Sequence, residues 1–393
     1  MEFWSTGVMN YLKKSTIVYK SINPIHHSPN YLVTQITLLP NSHLRWRDLY
    51  MKKITRLISY LIFILILTSQ CTKKKDLAQM VADFFTKNKD VTILVTDSGL
   101  GGLSVAADVA ARLSQNGVFE NARIVFFNSL FHNRSGYNSL KSEDEKVRIF
   151  NIALKSMNKK YHPDLLLIAC NTLSVLYDKT PFSNRVKFPV IGIVETGVDL
   201  IAKQFDQHPE ATAIIFATRT TIGSNAHKNL LVSRGYPENQ IIGQACHRLA
   251  GSIERGYDSE ETIGYIKQYV TEALKKIDNP DAPIFASLNC THYGFSMKQF
   301  KNEFAQAGYP EIVIIDPNPE MSDFLFKPPY INRYPETNVT VEVISKTKIS
   351  EREIKSLAKL LQQVSPTTAT AYENYQYNPE LFDAKFDSTT IGK

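Results

Sequence analysis

Cysteine is scarce in this chain. Only Cys71, Cys170, Cys246 and Cys290 occur in 393 residues, too few and too widely spaced for a disulfide framework or a CxxC metal site. The adjacent pair His26 and His27 has no cysteine or carboxylate at ligand spacing, so no metal site is expected there. Charge of one sign is equally lacking. The net charge of +7 is modest, much of it sits near the front in KK, RWR, MKK and TKKK, and the rest of the chain is mixed in sign. That excludes a nucleic-acid surface, which needs a basic patch with interleaved aromatics. No apolar run reaches the ~20 residues that span a bilayer, and no short-period repeat is present. With 43% hydrophobic and 21% charged residues, the composition is neither collagenous nor disordered, and the length allows two domains with cores.

What is present is a series of short, β-branched apolar runs separated by amphipathic stretches. Val91–Thr96, Arg123–Phe127, Leu165–Ala169, Val190–Val194, Ala213–Ala217, Gln240–Gly243, Ile284–Leu288 and Ile312–Ile315 are the predicted strands. Runs that do not alternate, with helices between them, argue for an α/β fold of mainly parallel sheets flanked by helices on both faces. Ser142 followed by Glu143, Asp144 and Glu145, and Ser259 followed by Glu260 and Glu261, read as helix starts. A further strand (TVEVIS) and helix (SEREIKSLAKLLQQV) follow Asn338, and the polar, tyrosine-rich end beyond them is expected to be loosely ordered.

Ligands of open α/β sheets bind beyond the carboxyl ends of strands, and three polar loops fall there. The first is Thr96-Asp97-Ser98-Gly99-Leu100-Gly101-Gly102, whose glycines permit close backbone approach and whose free amides suit an anion. The others are Cys170-Asn171-Thr172 and Cys290-Thr291-His292, a coarse duplication of strand, cysteine and threonine. A buried strand-end cysteine is by default a small hydrophobe; two with matching sequels point to chemistry.

DSGLGG, ACNTLS, PVIGIVETG and NCTHY, in this order, resemble the aspartate/glutamate racemase superfamily, nearest to glutamate racemase, from about Val91 to Pro319. The resemblance implies two similar α/β domains with the active site in the cleft between them, and a racemase that needs no cofactor. Inverting an α-carbon takes a proton from one face and delivers one to the other, and thiols suit the task because neighbours lower their pKa of ~8.5. It further implies that Cys170 deprotonates the D-isomer and Cys290 the L-isomer, that Asp97 serves Cys170 and His292 serves Cys290, and that Glu254 in ACHRLAGSIERG is a further acid. Ser98, Asn171, Thr172 and Thr291 match residues that hold substrate, with Asp97 and His292 beside them. Cys246 is read as structural. Ala217–Ser224 resembles the family's GTxxTIxS loop, which makes Thr221 either a carboxylate ligand or a helix N-cap.

One loop departs from the pattern. Arg134, Tyr137, Lys141 and Ser142 are recognisable, but Asn138 stands where the family has glycine, and the loop is one residue longer between Tyr137 and Lys141. The bulk falls where a backbone amide would approach the substrate. Glutamate, aspartate or another acidic or amidated amino acid are therefore all open as substrates. The alternatives to a glutamate-type racemase are an exported amino-acid-binding protein that kept the cleft without turnover, and an aspartate racemase or related isomerase.

From Met51, MKKITRLISYLIFILILTSQCTKKKD has the charged, hydrophobic and cleavage regions of a secretory signal. Its final cysteine resembles a bacterial lipoprotein signal with Cys71 lipidated, although Thr68 and Gln70 depart from that pattern. The expected domains are an upstream extension over 1–50, a signal peptide over 51–70 and a spacer over 71–90. A first racemase domain over 91–188 plus 293–335, a second over 189–292 and a C-terminal extension over 336–393 complete the layout. The expected partners are a small acidic amino acid and, through the lipid, the membrane of the cell envelope; a homodimer is open. A non-functional leader would leave the chain cytoplasmic. Export also exposes two facing thiols to oxidation, so they must be kept reduced or held too far apart to bond.

Overall fold

The structure, a computed structural model, describes residues 77–133, 135–279 and 281–385. Cys71, the leader and signal segments, Arg134 and the last eight residues lie outside the described residues. Two wholly parallel sheets organise the chain. The first contains β1 (Asp90–Asp97), β2 (Asn121–Asn128), β3 (Leu165–Ile168), β4 (Val190–Gly192), β9 (Asn338–Ser345) and β10 (Gln376–Tyr377), in the order β10-β9-β2-β1-β3-β4. The second contains β5 (Thr212–Ala217), β6 (Ile241–Ala245), β7 (Ile284–Asn289) and β8 (Val313–Ile315), in the order β6-β5-β7-β8.

Both faces of each sheet are covered, which is why the strands read as continuous apolar runs. In β1, Ile93 and Val95 enter one core while Leu94 enters the opposite one; in β5, Ile214 and Phe216 divide in the same way from Ala213 and Ile215. The helix starts are capped as their residues predict. Ser142 accepts from Glu145 N–H at the head of Glu143–Tyr161, and Ser259 accepts from Thr262 N–H at the head of Glu260–Leu274.

Three expectations about the layout are corrected. The strand Val190–Gly192, expected to open the second domain, pairs with β3 and so belongs to the first sheet; Ile193 already begins the crossover helix Ile193–Gln207. The segment expected to return to the first domain at 293 does not do so until after β8, which pairs with β7. Met321 and Leu325 then pack into the first lobe. Periodicity identifies a strand but carries no information about which parallel neighbour it joins.

The tail is the third correction. Residues 338–385 build into the first lobe: β9 pairs with β2 along its whole length, Ser365 caps the helix Pro366–Glu373, and β10 pairs with β9. Tyr372, Leu381 and Phe382 are buried, the last stacked on Phe127 with centroids 5.8 Å apart. A few buried apolar side chains scattered among polar residues are enough to anchor a segment whose average composition reads as loose.

Candidate active site

Asp97 ends β1, Cys170 follows β3, Thr218 follows β5, Cys246 follows β6 and Cys290 follows β7, so the carboxyl ends of five strands converge. They surround a cavity of about 440 Å³ whose wall includes Asp97, Ser98, Cys170, Cys290, Thr291 and His292. Cavities of this size suit small molecules. A larger hollow of about 550 Å³, lined by Val341, Pro366 and Gln376, lies along β9 and carries none of the candidate catalytic residues.

On the first-lobe side, Cys170 is 5% exposed and its Sγ lies 3.1 Å from Ser98 Oγ. Burial pushes this thiol well up, the negative charge of Asp97 pushes it the same way, and the Ser98 hydroxyl offsets only part of the effect. Cys170 is thus held as a thiol. Asp97 itself is fully buried: Oδ1 accepts from Ser98 N–H at 2.5 Å, and Oδ2 accepts from the Thr291 hydroxyl of the second lobe at 2.6 Å. It acts on Cys170 as a nearby charge and through Ser98.

On the second-lobe side, His292 Nδ1 lies 3.7 Å from Cys290 Sγ, and Nε2 lies 2.7 Å from Glu254 Oε1. Burial works against a charged imidazole, but the Glu254 carboxylate and the bond to Cys290 outweigh it and hold His292 well above the ordinary histidine range. For Glu254, burial raises the carboxyl; His292, the strongest of the opposing groups, and the Leu100 amide outweigh it and leave it lowered. Both partners therefore shift toward an ion pair. Gly101 N–H also points at Nε2 from 3.0 Å, a contact in which the nitrogen can accept only when it carries no proton; the shorter Glu254 contact keeps the proton there.

The glycines of the first loop are explained by these contacts. A Cβ at Gly99 would lie 2.7 Å from Glu254 Oε1, and one at Gly101 would lie 2.4 Å from Thr291 Oγ1. The anion that the loop was expected to receive is Glu254, which accepts from Leu100 N–H at 2.8 Å.

No protein-family model matches the chain. It is 28% identical over 210 residues to glutamate racemase of Lysinibacillus sphaericus, covering 53% of this chain and 71% of that protein. It is 30% identical over 199 residues to glutamate racemase of Nitratiruptor sp., covering 51% of this chain and 70% of that protein. The chain belongs to the glutamate racemase family.

Among solved structures, glutamate racemase isoform RacE1 of Bacillus anthracis superposes with a TM-score of 0.54 at 22% identity, over 74% of this chain and 97% of that one. Glutamate racemase of Francisella tularensis, in complex with D-glutamate, gives the same score and identity over 70% and 95%. These place the α/β fold with its parallel, helix-flanked sheets in the glutamate racemase architecture.

Within this cleft, the structure brings together every candidate except Thr221 and the undescribed Cys71. Tyr137, Asn138, Asn171 and Thr172 line the wall beside Cys170. The Tyr137 hydroxyl and both polar atoms of the Asn171 side chain are buried without a hydrogen-bond partner among the described residues, and all belong to residues of the cavity wall. Buried polar atoms left without partners are uncommon in folded proteins. Thr221 is corrected: it lies behind the wall, 3.4 Å from Thr172 and 3.1 Å from Thr218, and Thr218 is both the wall residue and the N-cap. Arg219, His247 and Arg248 also line the cavity and were not singled out in the sequence. The ACHRLAG segment held the signal: a His-Arg pair directly after a strand-end cysteine. Burial lowers His247, and the charges of Arg219 and Arg248 lower it further, which marks this wall as positive.

Proposed function

We propose that this protein is a cofactor-independent amino-acid racemase that inverts the α-carbon of a small acidic amino acid by proton transfer between Cys170 and Cys290. The observation that carries this reading is the pair of buried thiols in one cavity, each with its own partners: Ser98 and Asp97 for Cys170, His292 and Glu254 for Cys290. A one-sided acid or a binding protein has no use for two such groups.

With Cys170 held as a thiol, the resting arrangement is set for the L-isomer. The sulfur of Cys290 takes the α-proton, the electron pair stays on carbon, and the Cys170 thiol delivers its proton to the opposite face, giving the D-isomer. After this turnover Cys290 carries the proton and Cys170 has given its own up, the arrangement set for the D-isomer. The sulfurs return to their starting states by reverse turnover or by Cys290 losing its proton to water while water reprotonates Cys170, with the positive charge of His292 beside Cys290 favouring that loss. Arg219 and Arg248 give the cavity a positive wall, which favours an anionic substrate.

The test is to follow α-proton exchange of single L- and D-amino acids in deuterated water under reducing conditions. Exchange with inversion on glutamate or aspartate supports the reading; binding without exchange overturns it in favour of a ligand-holding protein. The same reading includes anchorage of the chain at the outer face of a bacterial membrane through a lipidated Cys71, supported by the charged, apolar and cysteine order of residues 51–71. Fatty-acid labelling that persists in Cys71→Ser would sink that part alone.

A further inference from the structure

We propose that Asn138 sets the length of the substrate, closing one end of the cleft to all but a short acidic side chain. This rests on the racemase reading above.

Asn138 sits in the Tyr137–Ser139 turn of the first lobe and lines the cavity beside Cys170. Its side chain crosses the cleft. Oδ1 accepts from the Thr220 N–H of the second lobe at 3.1 Å, and Nδ2 points at Thr172 Oγ1 from 3.5 Å. The Thr172 hydroxyl is itself 2.8 Å from that of Thr218, and Lys146 Nζ donates to Thr220 Oγ1 at 2.9 Å, a second crossing next to the first. At this end of the cavity, therefore, a protein carboxamide oxygen already takes the backbone donor that an oxygen of a long substrate side chain would need. A carboxamide and a carboxylate have nearly the same shape, so both cannot occupy the place.

The wall nevertheless remains suited to an acid. Arg219, adjacent to Thr220, lines the same cavity and is in no ion pair among the described residues. A shortened pocket with its positive charge left free fits a side chain of one methylene and a carboxylate better than one of two. Aspartate is the favoured substrate over glutamate.

The experiment compares kcat/KM for α-proton exchange on L-aspartate and L-glutamate in the parent, Asn138→Gly, Asn138→Ala and Asn138→Gln, with Kd for both amino acids measured by calorimetry on the same proteins. The expected result is a parent preference for aspartate, with the glutamate-to-aspartate ratio rising about 10-fold or more in Asn138→Gly and Asn138→Ala, the scale of one methylene. Asn138→Gln, which keeps an amide across the cleft, should retain the preference. A parent that prefers glutamate, or a ratio unchanged in both small variants, overturns the inference. Absence of exchange in the parent would overturn the racemase reading alone, because the ratio of the two Kd values then decides the length preference. Thermal melts of each variant separate these outcomes from loss of fold.

Discussion

Each thiol at the centre of the cavity has its own neighbours, Ser98 for Cys170 and His292 for Cys290. Replacing either by a hydroxyl makes the group a far weaker acid, outside the working range, while keeping the shape. Cys170→Ser and Cys290→Ser should each lower kcat for racemisation by about 10²- to 10⁴-fold, the usual weight of a positioned acid or base, with little change in Tm. Single-turnover exchange on the two isomers checks the assignment, since each variant should lose abstraction from one isomer more than from the other. Glu254 is what keeps His292 charged. In Glu254→Gln the imidazolium loses its counter-charge, so the alkaline limb of kcat/KM should move to lower pH; an unmoved limb would mean that His292 takes no part. Asp316, buried just after β8 and accepting from Asn318 N–H at 3.1 Å, is raised from 3.8 to about 6 by burial. A folded state that binds this proton more tightly is most stable below pH 3.8 and loses stability as pH rises through about 6. The gap is worth about 3 kcal/mol at 1.36 kcal/mol per pH unit. Asp316→Asn keeps the acceptor without the charge, so denaturant melts should show a gain of up to that size above pH 7 and none near pH 3.

At the scale of elements, the loop after β1 is the tightest junction of the two lobes. Leu100 N–H donates to Glu254 and Gly101 N lies 3.0 Å from His292 Nε2, and this approach is open only because Gly99 and Gly101 lack a Cβ. Gly101→Ala would push a methyl against Thr291 Oγ1, His292 Nδ1 and His292 N at 2.4 to 2.7 Å. Overpacking of this kind costs about 1–3 kcal/mol. Its larger effect should fall on activity, measured as a drop in kcat while the protein remains folded by circular dichroism. The strands, the caps at Ser142 and Ser259, and the cysteine loops were legible because burial on both faces, N-cap chemistry and strand-end position all leave local patterns. The membership of β4 and β8 was not, since pairing is decided by distant partners. Thr218 was passed over for Thr221 for a related reason: in a TRTT run only the three-dimensional path of the turn says which hydroxyl faces the cavity. Arg219, His247 and Arg248 carry no local pattern that distinguishes a cavity wall from a solvated loop.

For the whole molecule, the tail after Ser365 shows how a few apolar contacts outweigh average composition. The helix Pro366–Glu373 packs Ala369 and Tyr372 into one core, and Leu381 and Phe382 enter the core on the other face of the same sheet, so the segment wraps its edge. β10 also pairs with β9, which otherwise presents unpaired backbone groups at an open edge. Burying each large side chain contributes about 1.5–3 kcal/mol, so Tyr372, Leu381 and Phe382 together are worth roughly 5 kcal/mol or more, a large share of the stability of an ordinary domain. A chain ending at Ser365 should therefore unfold at a clearly lower urea concentration and associate at high protein concentration through the bare edge of β9. The site residues all lie outside the tail, so kcat of the folded fraction should be kept. A midpoint unchanged within about 1 kcal/mol would show instead that the first lobe is complete without its wrap.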